Sequence, residues 1–263
     1  MKLNEEKKNR DTLEKALKRK EKYLSENRKY RLAEALMHRH TAGKFIGDFI
    51  YGANDGTITT FAVVAGAVGA SLSPNIIIIL GFANLLADGI SMGASNYLGG
   101  KSERDYAKFQ REKEGWEVDH LRELEVEEIR EIFAKKGFTG RDLDRAVSII
   151  ISDREVWLDT MMRDELNILE DEKDDPKLHG VATFGAFVIA GLFPLLPYVL
   201  PLGENAFLIS VIFGAGTLFV VGALRSIVTA VSWFRGGVEM FLIGSSAATV
   251  AYFVGAFIET LVG

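Results

Sequence analysis

Cysteine is absent from the 263 residues of this chain, and histidine and proline are scarce, with four and five copies. Without cysteine the chain forms no disulfide and offers no thiolate metal ligand or cysteine nucleophile. Strong net basicity is also missing, since the formal net charge is −5, and this argues against nucleic-acid binding. No phosphate-binding loop, nucleophile elbow or zinc-protease motif is present, so we do not expect an enzyme.

Charge is concentrated in two blocks of the chain. Residues 1–44 contain 14 basic and seven acidic residues, and residues 101–178 contain 15 basic and 23 acidic residues. Outside these blocks, Arg225 and Arg235 are the only basic residues. Such segregation is typical of a membrane protein whose charged segments lie outside the bilayer.

Five apolar stretches are long enough to cross a bilayer, which takes about 20 residues of helix. They lie near 46–70, 75–99, 180–201, 206–230 and 237–261. We therefore expect an all-α integral membrane protein with five transmembrane helices. The first two spans fall in 45–100, the last three in 179–263, and a helical block at 101–178 is inserted between them.

Basic residues near the helix ends place 1–44 and 101–178 on the cytosolic side by the positive-inside rule. The first apolar run follows a charged arm of about 40 residues, so no cleavable signal peptide is expected. The basic arm favours an amphipathic helix on anionic lipid, and a solvated charged helix is the alternative. A cysteine-free chain rich in Lys and Ile suggests a prokaryotic plasma membrane, with a vacuole-type organelle membrane as the alternative.

Polar residues recur on one face of each of the first two predicted spans. Asp48 and Asp55 are seven residues apart in the first span and share a helix face. In the second span the recurring residues, four apart, are Asn84, Asp88, Met92 and Asn96. Intramembrane carboxylates are costly and usually line a pathway or face a partner. Oxygen and thioether ligands together indicate a transition metal, so we predict a cation pathway along these faces. For Asp88 the alternative is a hydrogen bond to a neighbouring helix.

The inserted block contains a second group of candidate metal ligands. If 112–133 form one helix, four glutamates share its apolar face: Glu114, Glu117, Glu125 and Glu128. A break near Asp119 or His120 is the alternative, and it would weaken this arrangement. Buried like charges repel each other unless cations bind them, whereas Glu123 and Glu127 point the other way and are typical of a solvated face. Further along, Met161 and Met162 lie three and four residues from Glu165, which fits a mixed thioether and carboxylate site. Core packing is the alternative for the two methionines.

Four motifs, taken together and in this order, resemble those of one known family. They are "NDG" at 54–56, "GISMGASNYL" at 89–98, "WLDTMMRDEL" at 157–166 and "RGGVEMFLIGSSAATVAYFVG" at 235–255. The chain resembles the vacuolar iron transporter family over about 45–263.

This resemblance implies a homodimer of five-helix membrane domains, each with a cytosolic metal-binding domain between the second and third helices, and a pathway at the dimer interface. It implies export of Fe²⁺, and in some members Mn²⁺, from the cytosol in exchange for protons. By motif, Asp55 is similar to the pathway carboxylate and Met92 to the thioether beside it. The residues similar to the cytosolic ligands are Glu114, Glu117, Glu125, Glu128, Met161, Met162 and Glu165. The family commonly has an acidic residue at the position of Asn84, whereas here the acid, Asp88, stands one turn further on.

A membrane-anchored iron sensor or store is the alternative from a different functional class. In that case 101–178 would bind the metal and the spans would only anchor it. An anchor has no need of Asp55, Asp88 and Met92 on polar faces within the membrane, so these residues favour transport.

Overall fold

The computed structural model describes residues 13–22, 45–169, 174–200, 202–226 and 231–262, and these ranges contain helices and no strand. The chain divides into two compact units. The first comprises Met1–Ala94 with His179–Gly263, and the second is Ser95–Leu178. Most of the predicted arm 1–44 lies outside the described residues, as do 227–230 at the end of the predicted fourth span; residues 13–22 are helical and exposed.

Five long helices carry the apolar sequence. They are α1 (Ile46–Gly69), α2 (Pro74–His120), α6 (Pro176–Val199), α7 (Ala206–Arg225) and α8 (Trp233–Val262). Four of them, α2, α6, α7 and α8, are long and apolar enough to cross a membrane. The protein is therefore an all-α membrane protein with four candidate spans among its described residues. The predicted first span forms the 24-residue helix α1, whose hydropathy is lowered by Asp48, Asn54 and Asp55.

Glycines bring α1 into backbone contact with two other helices. A Cβ atom at Gly52 would lie 2.5 Å from a backbone oxygen of α6, and one at Gly56 would collide with the backbone of the same helix. On α8, a Cβ atom at Gly255 would collide with the backbone of Gly66 on α1. In lipid, where no hydrophobic force drives helices together, such close approach is a main source of association.

Two glycines of α2 also serve packing inside the chain. A Cβ atom at Gly93 would lie 2.8 Å from the carbonyl oxygen of Gly180 on α6, which is closer than a real Cβ atom sits. One at Gly89 would be 3.3 Å from the ring of Phe184, a tight side-chain contact. The glycines of α1 and α2 thus fit against α6 of the same chain.

The second unit consists of the C-terminal part of α2 and three shorter helices. These are α3 (Arg122–Lys135), α4 (Gly140–Ile150) and α5 (Arg154–Thr160), followed by a π-helical turn, Met161–Glu165. Its apolar core is formed by Val118, Ile129, Ile132, Val147, Trp157, Leu158 and Met161. This unit has a core of its own, as an independently packed domain requires.

The assumption that 112–133 form one helix is wrong, and the alternative of a break near His120 applies. The helix ends at His120, and α3 begins at Arg122. Between them, Leu121 has φ −120° and ψ 32°, outside the helical region, so the chain turns there. The glutamates of this segment therefore stand on two helices joined by a turn.

Ion pairs hold α5 against α2 and so position the π-helical turn that follows α5. The Arg111 guanidinium donates to Asp159 and to Glu155, each at 2.7 Å, and Arg154 donates to Asp119 at 2.8 Å. Such exposed pairs add little to the free energy of folding, because water and salt screen them. Their effect is mainly to fix the register of the two helices.

We expect Gly191→Ala on α6 to lower the thermal stability of the detergent-solubilised protein. Its Cβ atom would lie 2.6 Å from the carbonyl oxygen of Gly56 and 2.8 Å from the hydroxyl of Thr60, so α1 must move away. Overpacking of this kind costs about 1–3 kcal/mol. Melting would be followed by intrinsic fluorescence.

Gly185→Ala is the matched control because it lies on the same helix and its Cβ atom would meet nothing within 4 Å. It should melt at the wild-type temperature or slightly above, since Ala favours helix. Equal melting temperatures for the two variants would contradict the packing described for α1 and α6.

Candidate functional site

Two predicted pathway carboxylates approach each other across the first unit. Asp55 on α1 and Asp88 on α2 are both partly buried, and they lie close enough for their negative charges to repel each other. Within a bilayer, water and salt screen such charges poorly, so the repulsion is not dissipated. This arrangement suits a site that binds a cation or a proton between two helices.

Two amides near these carboxylates have polar atoms without partners. Asn54 Oδ1, next in the chain to Asp55, and Asn84 Nδ2, one turn from Asp88, are buried and make no hydrogen bond to any described residue. A buried polar atom left unpaired costs about 1–3 kcal/mol. Such atoms are therefore expected where a further ligand or water binds.

Met92 packs against an apolar cluster that includes Val64, Leu85 and Phe187. Its side chain is only partly buried. Packing thus accounts for the position of Met92, and its role as a thioether ligand stays a prediction.

Asp48, near the beginning of α1, is hydrogen-bonded to a histidine on α6. Its Oδ2 atom forms a hydrogen bond with Nδ1 of His179 on α6, and the His179 ring packs on Phe45 with centroids 4.7 Å apart. His179 was not predicted as a site residue, because a single histidine at a membrane boundary carries no motif. The pair joins the ends of α1 and α6, and the part of Asp48 in a pathway stays a prediction.

In the second unit, carboxylates from three elements act on one another electrostatically. Glu114 and Glu117 come from α2, Glu125 and Glu128 from α3, and Glu165 from the π-helical turn. Glu114 and Glu125 are almost completely buried, with 2% and 4% of their surface exposed. Carboxylates are seldom buried unless they are paired or bind a metal.

The electrostatic effect on these glutamates is large. Burial, followed by repulsion from Glu128, raises the pKa of Glu125 to about 7. The same two causes raise the pKa of Glu165 to about 7. Burial also raises the pKa of Glu114, which lies beyond the apolar part of α2. Perturbed carboxylates gathered in one place are typical of functional sites.

One buried oxygen in this group is left without a donor. Glu125 Oε2 makes no hydrogen bond to any residue in the described ranges. A neutral or charged carboxyl in an apolar setting is stable only if its oxygens have partners. This oxygen therefore points to a missing ligand, and a cation is the ligand that would also relieve the repulsion.

The two methionines of the π-helical turn differ in their surroundings. Met161 is fully buried and belongs to the apolar core with Val118 and Ile129. Met162 is 3% exposed and is not a member of that core cluster. The i→i+5 bond from Leu166 N–H to the Met161 carbonyl, 3.2 Å, widens the turn here. Core packing thus accounts for the position of Met161, and the role of either methionine as a thioether ligand stays a prediction.

The carboxylates do not close around a common point. Across the described part of the chain, no three His, Asp or Glu side chains are arranged so that they could hold one metal ion. One cation already lies among them, because Lys113 Nζ donates to Glu117 Oε2 at 2.7 Å and to Glu114 Oε1 at 3.4 Å. The candidate ligands therefore share one region, and binding a metal ion requires side-chain movement.

Comparison with known proteins settles the family. The sequence model of the VIT family matches residues 46–256, most of the chain. This chain belongs to the VIT family. The resemblance predicted from the four sequence motifs is thereby confirmed, and the protein is a multi-pass membrane protein of a family of metal transporters.

Individual relatives are similar over most of their length. The vacuolar iron transporter of Toxoplasma gondii is 33% identical over 236 residues, which are 86% of this chain and 78% of that protein. Vacuolar iron transporter 1 of Arabidopsis thaliana is 36% identical over 216 residues, 81% of this chain and 85% of that protein. The vacuolar iron transporter of Plasmodium falciparum is 31% identical over 220 residues, which are 80% of this chain and 81% of that protein. These organisms are eukaryotes, so the comparisons do not support the predicted prokaryotic plasma membrane.

We expect Mn²⁺ to bind the second unit more tightly at pH 8 than at pH 6. A raised pKa means that the folded protein holds the protons of Glu125 and Glu165 more tightly than exposed glutamates do. Below pH 7 the metal must expel these protons, and above pH 7 it need not. Affinity should rise several-fold over this interval, measured from the electron paramagnetic resonance signal of unbound Mn²⁺.

Glu125→Gln should weaken binding and flatten this pH dependence. Glu127→Gln is the control, because Glu127 lies on the same helix but its side chain is 64% exposed. This variant should retain the wild-type Mn²⁺ affinity and its pH dependence. Equal Mn²⁺ affinity of the wild type at pH 6 and pH 8 would show that these carboxylates do not bind the metal.

Proposed function

We propose that this protein is a homodimeric antiporter that exports Fe²⁺ from the cytosol in exchange for protons. The observation that carries the proposal is the approach of Asp55 and Asp88 on two helices of the apolar unit. The names of the relatives supply the metal, since they are vacuolar iron transporters. Mn²⁺ is a second cargo, because oxygen and thioether ligands discriminate weakly among divalent transition metals.

The proposal includes α1 as a fifth membrane span. Its 24 residues extend for about 36 Å, enough to cross the apolar core of a bilayer. Backbone contacts at glycines fix it to α6 and α8, which are themselves candidate spans. If α1 crosses the membrane, two spans separate 1–44 from 101–178, and both segments lie on the same, cytosolic side.

In this mechanism the two intramembrane carboxylates accept either protons or the metal ion. Two negative charges held close together in a bilayer are stable only when a cation or protons neutralise them. When Fe²⁺ enters from the cytosol, it replaces the protons on Asp55 and Asp88. When the site faces the other side, protons replace Fe²⁺ and complete the cycle.

The second unit would gather Fe²⁺ before it enters the membrane. Buried glutamates with raised pKa values bind a divalent cation in place of protons, and Met162 adds a soft ligand. A site of this kind raises the local concentration of metal ions without setting the direction of transport.

A store or sensor without transport is the second candidate. The feature that favours it is that the glutamates belong to a unit with its own apolar core. Asp55 and Asp88 have no role in this case. Flux measurements therefore separate the two functions.

We expect Asp55→Asn to abolish Fe²⁺ flux into proteoliposomes under an imposed proton gradient. Asn cannot exchange a proton and binds a cation weakly, so the flux should fall to that of protein-free vesicles. Fe²⁺ entry and proton movement would be recorded together with an internal metal dye and an internal pH dye. Glu259→Gln, an exposed acid near the end of α8, should transport like the wild type.

Two results would contradict antiport. Wild-type flux in Asp55→Asn would remove this carboxylate from the mechanism. Metal binding by the wild type without flux under any gradient would indicate the store or sensor instead.

We expect Asp88→Asn to reduce the number of protons moved per Fe²⁺, because it removes one of the two facing carboxylates. Adding Asn84→Asp to this variant moves the acid back by one turn of α2 and should restore part of the coupling. Asn84→Asp alone is the control for the added charge. Unchanged coupling in Asp88→Asn would exclude Asp88 from proton exchange.

A further inference from the structure

The five interacting glutamates of the second unit form what we call the glutamate group: Glu114, Glu117, Glu125, Glu128 and Glu165. The side chain of Lys113 lies against this group. Its ammonium donates to Glu117 Oε2 at 2.7 Å and to Glu114 Oε1 at 3.4 Å. Glu114 is buried, whereas the Lys113 side chain is half-exposed, with 49% of its surface accessible. The charged end of a solvent-facing side chain thus reaches back to a buried carboxylate.

The positive charge of Lys113 acts on more than its two bonded partners. It lowers the pKa of Glu165, opposing the effects of burial and of the neighbouring glutamates. Other basic side chains of this unit pair with different acids: Arg111 with Glu155 and Asp159, Arg130 with Asp144, Lys136 with Asp164, and Arg154 with Asp119. Among the described residues, Lys113 is thus a cation that acts on three of these glutamates, Glu114, Glu117 and Glu165.

We propose that Lys113 is a built-in counter-ion, which holds the glutamate group together and which a divalent metal ion must displace in order to bind. This inference rests on the metal site of the proposed function and deepens it. A second observation points to the same ligand chemistry, because the buried Glu125 Oε2 has no described partner and Lys113 does not bond it.

The physical reason is competition between two cations for the same oxygens. The ammonium carries one charge and approaches an oxygen to about 2.7 Å, whereas a divalent transition metal carries two and bonds at about 2.0–2.2 Å. The metal ion therefore binds the glutamate oxygens more strongly than the ammonium does, but the hydrogen bonds from Lys113 must break first. The tether keeps the ammonium near the site, so weakly bound cations are excluded and the metal affinity is lowered.

This role has two opposite consequences for Lys113→Gln. Without the ammonium, the metal has no competitor, and affinity for Mn²⁺ should rise about tenfold at low salt, given the Coulomb energy of a nearby unit charge. At the same time the glutamates lose their counter-ion, so the melting temperature in the presence of a chelator should fall at pH 8. A purely structural lysine would lower both quantities.

The test uses the full chain in detergent micelles, with Mn²⁺ titrated at pH 7.5 and followed by electron paramagnetic resonance. Lys113→Arg keeps the positive charge and should bind Mn²⁺ like the wild type. Lys135→Gln is the matched charge control, because Lys135 is 77% exposed and pairs only loosely, at 3.6 Å, with the exposed Glu131. Raising the salt concentration should weaken binding to Lys113→Gln more steeply than binding to the wild type.

Each outcome decides the matter. Tighter Mn²⁺ binding and lower stability in Lys113→Gln alone would support the inference. If the wild type binds Mn²⁺ and Lys113→Gln binds it equally or more weakly, the counter-ion role is overturned while the proposed metal site survives. An equal gain in Lys113→Gln and Lys135→Gln would also overturn it, as a general charge effect. If the wild type binds no Mn²⁺, the metal site of the proposed function fails and this inference with it.

Discussion

A carboxylate that leaves water loses several kcal/mol of hydration, and a second carboxylate beside it adds repulsion. This protein accepts that cost in both of its units. In the first unit the charges of Asp55 and Asp88 repel each other, and in the second unit five glutamates act on one another. Such groups persist only if protons, a lysine or a metal ion neutralise them. The exchange of these neutralising cations is the chemistry that a proton-coupled metal carrier needs.

The free-energy cost of burying these carboxylates must be offset by packing. In the first unit, glycines allow much of this packing. α1 carries two carboxylates and an amide, so its hydropathy alone would not hold it among apolar helices. Its glycines bring its backbone against α6 and α8, and Thr57 and Thr60 on the side away from the carboxylates are fully buried. Many close van der Waals contacts can thus keep a polar helix inside a bundle.

The sequence was sufficient for the helical membrane class and for the family. It misplaced one boundary, because the turn at Leu121 contains neither Gly nor Pro and the helical periodicity continues through it. Even so, the glutamates still act on one another, since α3 brings Glu125 within range of Glu114. Periodicity could not separate Met161 from Met162 either, because which of two adjacent side chains enters the core depends on the π-helical turn. Partners such as His179 for Asp48 depend on tertiary contacts that no local pattern encodes.

The carboxylate on α2 shows how a pathway can tolerate a shift in its chemistry. Asn84 is neutral at the position where the resemblance predicts an acid, and Asp88 stands four residues on, about 6 Å further along the axis. The two positions differ by only about 40° around the helix, so both lie on one face. A mobile cation needs an oxygen on the correct face more than at a fixed depth, because it moves along the pathway in any case. In the proposed mechanism the metal ion therefore meets the α2 carboxylate one turn further along the path, and Asp55 on α1 remains the second carboxylate of the site.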